Sequence, residues 1–388
     1  MKYDIIICGG GIAGLWLLNT LTAKGLNVVL IEKNTLGGVQ TLASQGMIHG
    51  GQKYLLQGHA TPEALSIAKM PERWQKCFEG SGDINLSRVS TLSETQVMWP
   101  AGSKLSEIGL VAAAKLVNAK TKKLSPNEYP KALRGGTGHG PVYELPEKVM
   151  DTHSLVSALV APHTERIVKG DITKLAVDGS LTVNGLKLEA QLIISTAGTG
   201  NEEALRMLGV SVEEHSQRRP LRQIMIKTME YPLYGHGVVN NPKPRVTITS
   251  HPLPEGGYVW YLGGAIAEQT ATLSDAEAIT YARKEMQDIF PEIDWFGKHW
   301  ASWLGDRAEA RHPGGVIQDG PAVQEYGKVL VVWPTKLTFM PALSDNVHAY
   351  VDSHGLTPSY TDEPPILSFP EGGVSPWESA HWAHKNQE

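Results

Sequence analysis

Hydrophobic spacing changes character several times along this chain, and each change predicts a different element. Residues 2–8 form a near-continuous apolar run, Lys-Tyr-Asp-Ile-Ile-Ile-Cys, as a parallel strand buried on both faces does. Ile12, Leu15, Leu18 and Leu21 then recur with helical period, and residues 26–31 read as a second buried strand ending at Glu32. Residues 61–78 predict a helix opened by Thr61-Pro62-Glu63, and residues 104–124 another, with Lys115, Lys120, Lys122 and Lys123 toward its end, where cations suit the dipole. Residues 84–98 are strand-rich and closed by Trp99-Pro100, and 135–140 are loop. Val149-Met150-Asp151-Thr152 predicts a strand end and a capped helix through Val160, and 172–189 an antiparallel insertion turning at Asp178-Gly179 and Asn184-Gly185. Residues 192–198 form a buried strand ending in small residues, while 221–228, 245–250 and 258–264 alternate as long antiparallel strands do when one face walls a pocket.

The first unit carries recognisable chemistry. Glycines at 9, 11 and 14 allow a tight turn, close approach of the backbone to a pyrophosphate, and close packing of helix on strand. The succeeding helix offers N–H groups and the positive end of its dipole. Glu32 stands where a carboxylate accepts hydrogen bonds from a ribose 2′-OH, with Lys33 beside it. Gly9, Gly11, Ile12, Ala13, Gly14, Glu32 and Lys33 are therefore candidate contacts for a cofactor containing adenosine diphosphate with a free 2′-OH.

Composition narrows the class. At 388 residues the chain exceeds what one core usually serves, so two domains with room for a buried cofactor are expected. A net charge of −5 and a pI near 6.3 give no reason to propose nucleic acid as a partner. Cys8 and Cys77 suggest neither a disulfide nor a cysteine metal site, no metal cluster is visible, and the reducing cytoplasm is the simplest compartment. Asp4 and the glycines interrupt the apolar start, which is not read as a signal peptide, and no apolar run reaches the ~18 residues of a spanning helix.

The segment after Glu32 separates FAD from NAD. Residues 37–54 hold too many glycines and small polar groups for a core helix and suit a backbone laid against a flat ring system. Thr41, Ser44, Gln45, Gly46 and Ile48 are the candidate contacts there, their side chains and amides placed to meet phosphate, ribitol and the isoalloxazine edge. This stretch resembles the D-amino-acid oxidase superfamily of FAD-dependent oxidoreductases, particularly the branch of glycerol-3-phosphate and L-2-hydroxyglutarate dehydrogenases. That branch reads Ser-x-Asn-Ser-Gly-x-Ile-His-x-Gly-x-x-Tyr; the chain matches at Ser44, Gly46, Ile48, His49, Gly51 and Tyr54 and departs at Gln45. By the same resemblance Gly198, at the end of a strand, passes near the flavin.

The chain's last third resembles the family's closing order: Gly305-Asp306-Arg307, a turn at Asp319-Gly320-Pro321, a strand over 329–333, and a helix whose N-terminus points at the flavin. That match implies that Arg307 holds a substrate carboxylate, for which a planar bidentate donor is suited. Ala308 replaces the usual proline and Arg311 comes soon after; an ion pair of Arg307 with Asp306 or Glu309 is the alternative. N–H groups around Thr335, Lys336, Leu337 and Thr338 are implied to stabilise negative charge on reduced flavin.

The expected fold is α/β, a Rossmann-like FAD-binding domain with a central parallel sheet plus an antiparallel-sheet substrate domain. The first is assigned to 1–78, 142–215 and 303–360, the second to 79–141 and 216–302, and 361–388 is a tail. The expected activity is removal of a hydride from a carbon bearing nitrogen or oxygen, with electrons passing to oxygen or a quinone. An amine substrate reacts as its neutral form; a 2-hydroxy acid needs a base, for which His49 and His236 are the candidates, and the match at His49 favours the hydroxy acid. Two other readings stay open. One is a flavin monooxygenase using NAD(P)H, and the other is a non-catalytic FAD-bound partner of an assembly. The lysines around 115–123 also allow peripheral contact with anionic lipid.

Overall fold

A computed structural model describes residues 1–50, 67, 69–102, 121–134, 140–239, 241, 243–311 and 320–383. Gly51 and Tyr54 of the flavin motif, the expected helix start at Thr61, Lys115 and Lys120, most of the 135–140 loop, Asp319 and the last five residues of the tail lie outside the described residues.

The uninterrupted apolar runs become the centre of the first sheet. Lys2–Cys8 pairs in parallel with Val28–Glu32 on one side and Leu186–Ser195 on the other; Ile167–Lys169 and Val329–Trp333 extend the parallel set outward. Side chains of Ile5 and Ile7 pack among helices Ile12–Ala23 and Met340–Ser353, while Ile6 joins a second cluster with Leu181 and Val183 of the antiparallel insertion. Both faces of the strand are covered, which is why its sequence does not alternate. The insertion turns at Asn184 and Gly185, with φ of 48° and 82°, as the Asn-Gly pair requires.

Among the described residues the second sheet has eight strands. Their order is His299–Ala310, Ser216–Met229, Tyr258–Gly263, Val246–Pro252, Gly235–Val238, Gln96–Pro100, Tyr143–Leu145 and Lys122–Lys123. Neighbours are antiparallel except Gly235–Val238 with Gln96–Pro100. Alternation divides its faces. Ile224, Ile226, Val246, Ile248, Trp260 and Leu262 pack on helix Asp275–Ile289, and the residues between them turn the other way. Helix Asp275–Ile289 starts with a reciprocal cap, Ser274 and Glu277.

Three expectations change. His299–Ala310 pairs with Ser216–Met229 along its whole length, so the expected boundary at 303 falls inside a strand of the second sheet. Tyr143–Leu145, expected with the cofactor domain, pairs with Gln96–Met98. Lys122–Lys123 is a strand against Tyr143 and Glu144, not a helix end, and Lys122 is paired with Glu128 at 2.6 Å. Residues 361–383 cross both sheets: Lys169 N donates to Ser368 O, Glu371–Gly372 pairs with Thr35–Leu36, and Ala383 N donates to Trp300 O. No helix of the described residues is long and apolar enough to cross a membrane.

Candidate active site

The amino-terminal turn is shaped by what will not fit in it. A Cβ on Gly14 would lie 1.9 Å from Gly9 O, and one on Gly9, whose φ is +113°, would lie 2.9 Å from Ala197 Cα. Thr196 Oγ1, bonded to Cys8 O at 3.0 Å and Gly9 O at 2.9 Å, closes the turn from the neighbouring strand. Gly11 differs: a Cβ there would meet only Thr41 Oγ1, at 3.4 Å. Thr41 Oγ1 accepts from Ile12 N at 3.0 Å, and Glu32 accepts from Gly10 N and Asn34 N, both at 2.6 Å. Helix Ile12–Ala23 begins at Gly11 without a side-chain cap on its N-cap residue, and Ala13 is buried in its first turn. The strand end, the helix start and the Glu32 carboxylate therefore meet at one mouth. Lys33, at its rim, is ion-paired with Asp171 at 2.9 Å.

The glycine-rich stretch lies between the two sheets. Gly46, with φ +65°, packs so closely that its Cβ would stand 2.2 Å from Met150 O, and Ile48 N donates to Lys148 O. Ile48 itself is buried in the core. Ser44 Oγ is buried without a hydrogen-bond partner among the described residues. Gln45 has a different task from the one expected: its side-chain amide donates to Thr247 O at 3.3 Å and Tyr261 O at 3.1 Å, across to the second sheet. Tyr261 returns the contact through its hydroxyl, which donates to Ala43 O at 2.9 Å and lies against Gln223 Oε1. Burial raises this phenol well above its ordinary pKa and keeps it a donor. His49 is half-buried, and the next amide, Gly50 N, donates to Glu147 at 2.7 Å.

These contacts identify the sheet face that looks onto the loop. It carries Tyr261, Gln223, Thr247 and His236, and, by two-residue steps along His299–Ala310, Arg307. His236 is held on both ring nitrogens, Nδ1 by Thr247 Oγ1 at 2.9 Å and Nε2 by Gln96 Oε1 at 3.1 Å. Arg307 forms neither expected ion pair, because Glu309 is taken by Arg219 and Asp306 by Arg218. Among the described residues its one hydrogen bond is a long one, Nε to Arg219 O at 3.4 Å. Burial lowers its pKa, the adjacent Arg219 lowers it further, and Glu309 and Glu268 pull the other way, though neither comes within ion-pair distance of the guanidinium. Gln40 Nε2 donates to Asp306 O and is the nearest atom to a Cβ placed on Gly198, whose φ is +58°. Arg307, Gly198 and the glycine-rich loop thus converge.

After the strand Val329–Trp333, Thr335 has φ +58°, a strained conformation for a β-branched residue, pinned by its hydroxyl on Gly320 O at 3.2 Å. Lys336 precedes the turn Leu337–Phe339, which leads straight into helix Met340–Ser353. Thr338 Oγ1 is buried without a partner among the described residues, and Thr338 O accepts from Trp74 Nε1 at 3.0 Å. Sequence reasoning missed Gln40 and Gln223; the period-two run Arg219, Leu221, Gln223, Met225 was the available signal for the second of these.

Comparison with known proteins decides the family. The model of the family DAO, FAD dependent oxidoreductase, matches residues 4–360. The chain belongs to the DAO family of FAD-dependent oxidoreductases. It is 38% identical over 386 residues to the probable FAD-dependent oxidoreductase PA4991 of Pseudomonas aeruginosa, covering 98% of each chain. The crystal structure of PA4991 aligns with a TM-score of 0.84 at 36% identity, over 97% of this chain and 98% of that one. Glycine oxidase from Geobacillus kaustophilus shares the fold, with a TM-score of 0.63 at 17% identity over 93% of this chain and 96% of that one. A partial likeness, 24% over 255 residues, links 57% of the chain to 45% of the aerobic glycerol-3-phosphate dehydrogenase of Staphylococcus haemolyticus.

The DAO-family cofactor fits the residues present. Gly11 leaves a cradle that a side chain would fill, and Ser44 Oγ and Thr338 Oγ1 are buried polar atoms lacking the partner such groups normally have. The parallel-rich first sheet corresponds to the FAD domain of this family and the antiparallel second sheet to its substrate domain.

Proposed function

We propose that this oxidoreductase acts on a small carboxylate-bearing substrate, either an amino acid or a 2-hydroxy acid. FAD, when bound, supplies the hydride acceptor at flavin N5. The observation that carries the reading is Arg307: a half-buried cation without an ion-pair partner among the described residues, on the sheet face turned toward the flavin loop. An anion there would supply the ion-pair partner that the guanidinium lacks among the described residues, and a carboxylate matches the planar fork. His49 and Arg307 are the proposed catalytic groups and His236 a positioning one, with the 335–338 segment supporting negative charge on reduced flavin through its amides. Gly9, Gly11, Ile12, Ala13, Gly14, Glu32, Thr41 and Ser44 are proposed to hold the cofactor's phosphates and sugars.

One observation favours the amine branch. Both nitrogens of His236 are engaged by protein groups, so it orients rather than accepts a substrate proton, and a neutral amine needs no base to release its hydride. His49 is then the base reserved for a hydroxy acid. Anaerobic mixing of the yellow protein with amino acids, secondary amines, 2-hydroxy acids and glycerol phosphate, monitored near ~450 nm, reads hydride arrival directly. Bleaching by a carboxylate-bearing amine or alcohol is expected, and readmitting oxygen then separates an oxidase from an enzyme that delivers electrons to a quinone. Bleaching only by NAD(P)H would replace this reading with a monooxygenase.

A further inference from the structure

Arg219 faces Arg307 across the pair of long strands that edges the second sheet. Two guanidinium groups side by side on the substrate face would suit a dianion such as a phosphate. Glu309 changes that. It lies two residues from Arg307 on the same face and is 2% exposed. Both its oxygens are held by Arg219, Nε to Oε2 at 2.8 Å and Nη2 to Oε1. Arg218, next in sequence, alternates to the opposite face of the sheet and is occupied there by Glu202 at 2.7 Å and Asp306 at 2.8 Å. Arg219 and Glu309 therefore cancel, and of these three arginines Arg307 alone offers an open charge. A bidentate pair such as Arg219 with Glu309 is hard to separate, because parting it would leave a buried carboxylate uncompensated.

Resting on the reading of Arg307 as the substrate's anion anchor, we propose that Glu309 is a specificity-determining residue: by occupying Arg219 it restricts the site to one negative charge, accepting a carboxylate and refusing a phosphate dianion. A dianion on Arg307 would bring its second charge to the neutral Arg219–Glu309 pair rather than to a second free guanidinium, so nothing there offsets the cost of desolvating that charge. The discrimination is electrostatic and needs no change in the size of the site.

The test uses the FAD-loaded protein at pH 8, where inorganic phosphate is mostly dianionic, and reads perturbation of the flavin absorbance by propionate and by phosphate. Wild type should bind propionate at least about tenfold more tightly than phosphate, and Glu309→Gln should tighten phosphate by about tenfold or more while moving propionate little. The double variant Arg219→Gln/Glu309→Gln, which removes both charges, should return the wild-type preference, an outcome that a merely structural role for Glu309 would not produce. If Glu309→Gln does not fold, Arg219→Gln leaves Glu309 unpaired beside Arg307 and should weaken propionate by about tenfold or more. Arg307→Ala separates the role of Glu309 from that of the anchor. Loss of propionate binding there, with phosphate unchanged in Glu309→Gln, would overturn the role of Glu309 and leave the anchor standing. Retention of propionate binding in Arg307→Ala would remove the anchor itself. Phosphate binding more tightly than propionate in wild type would also overturn the proposal.

Discussion

The amino-terminal turn and the substrate face of the second sheet solve recognition in opposite ways. Around Gly9, Gly11 and Gly14 the working surface is backbone: a carbonyl 1.9 Å from where a Cβ would be, a helix start, and amides. On the second sheet it is side chains, Arg307, Arg219, Glu309, Gln223 and His236, drawn from strands up to 213 residues apart when Gln96 is counted with Glu309. A backbone surface is specified by residues that must be absent, so it is written locally. A side-chain surface depends on strand register, which no local stretch contains.

Substitutions can break this contrast or sharpen it. The largest effect is expected at Gly14: Gly14→Ala forces apart the turn and should cost about 3 kcal/mol or more of stability, giving colourless protein in a thermal melt and flavin assay. Gly11→Ala should leave melting within about 0.5 kcal/mol of wild type, since a Cβ there meets only Thr41 Oγ1 at 3.4 Å, yet should still weaken FAD. Equal damage at both positions would mean that the turn is scaffold rather than ligand surface.

The side-chain half is tested by pH. His251, stacked 3.7 Å from Trp377 of the carboxy-terminal strap, has its pKa pushed down to about 3 by burial and then by His153. The folded histidine stays neutral while the unfolded one takes up a proton below its ordinary value near 6.5. Stability is therefore full above that value and falls as pH drops toward 3, by about 3 kcal/mol between pH 7 and 4. His251→Phe should flatten this slope in chemical denaturation; an unchanged slope would assign the acid sensitivity elsewhere.

The seam between the two regions should give a smaller effect. Gln45→Leu removes two hydrogen bonds to the second sheet and should cost about 2 kcal/mol, with looser flavin binding seen as faster FAD release. A change smaller than that at the seam is expected at Thr335→Gly, which relieves a positive φ and should raise stability by no more than about 1 kcal/mol while slowing flavin reduction. A rate that does not fall would mean that the strain has no part in positioning the 335–338 amides.

Legibility in the sequence divides along the same line. The strand, helix, second strand and Glu32 are legible because each depends on neighbours within a turn or two. The family motif at Ser44 to His49 is legible because glycines and small polar residues are needed where a backbone lies close to another surface. The partner of Gln45 is not, since Tyr261 lies 216 residues away and the contact is to its carbonyl. Residue 303 reads as the start of a cofactor segment because the family's Gly-x-Arg pattern follows at Gly305, yet the strand holding it starts at His299 and is fixed by pairing with Ser216–Met229. That pairing also decides which acid meets which arginine. Asp306 and Glu309 are both close to Arg307 in sequence, and the register gives them to Arg218 and Arg219 instead.

Whether Arg307 stands open to a substrate anion is measured most directly by anaerobic flavin reduction. With the carboxylate substrate that bleaches wild type, Arg307→Ala should require about 100-fold more substrate for half-reduction, with FAD content unchanged and melting temperature no lower, because a cation without a carboxylate is costly to bury. Half-reduction at the wild-type concentration would contradict that role, since the substrate would then be held by groups other than the open guanidinium of this face.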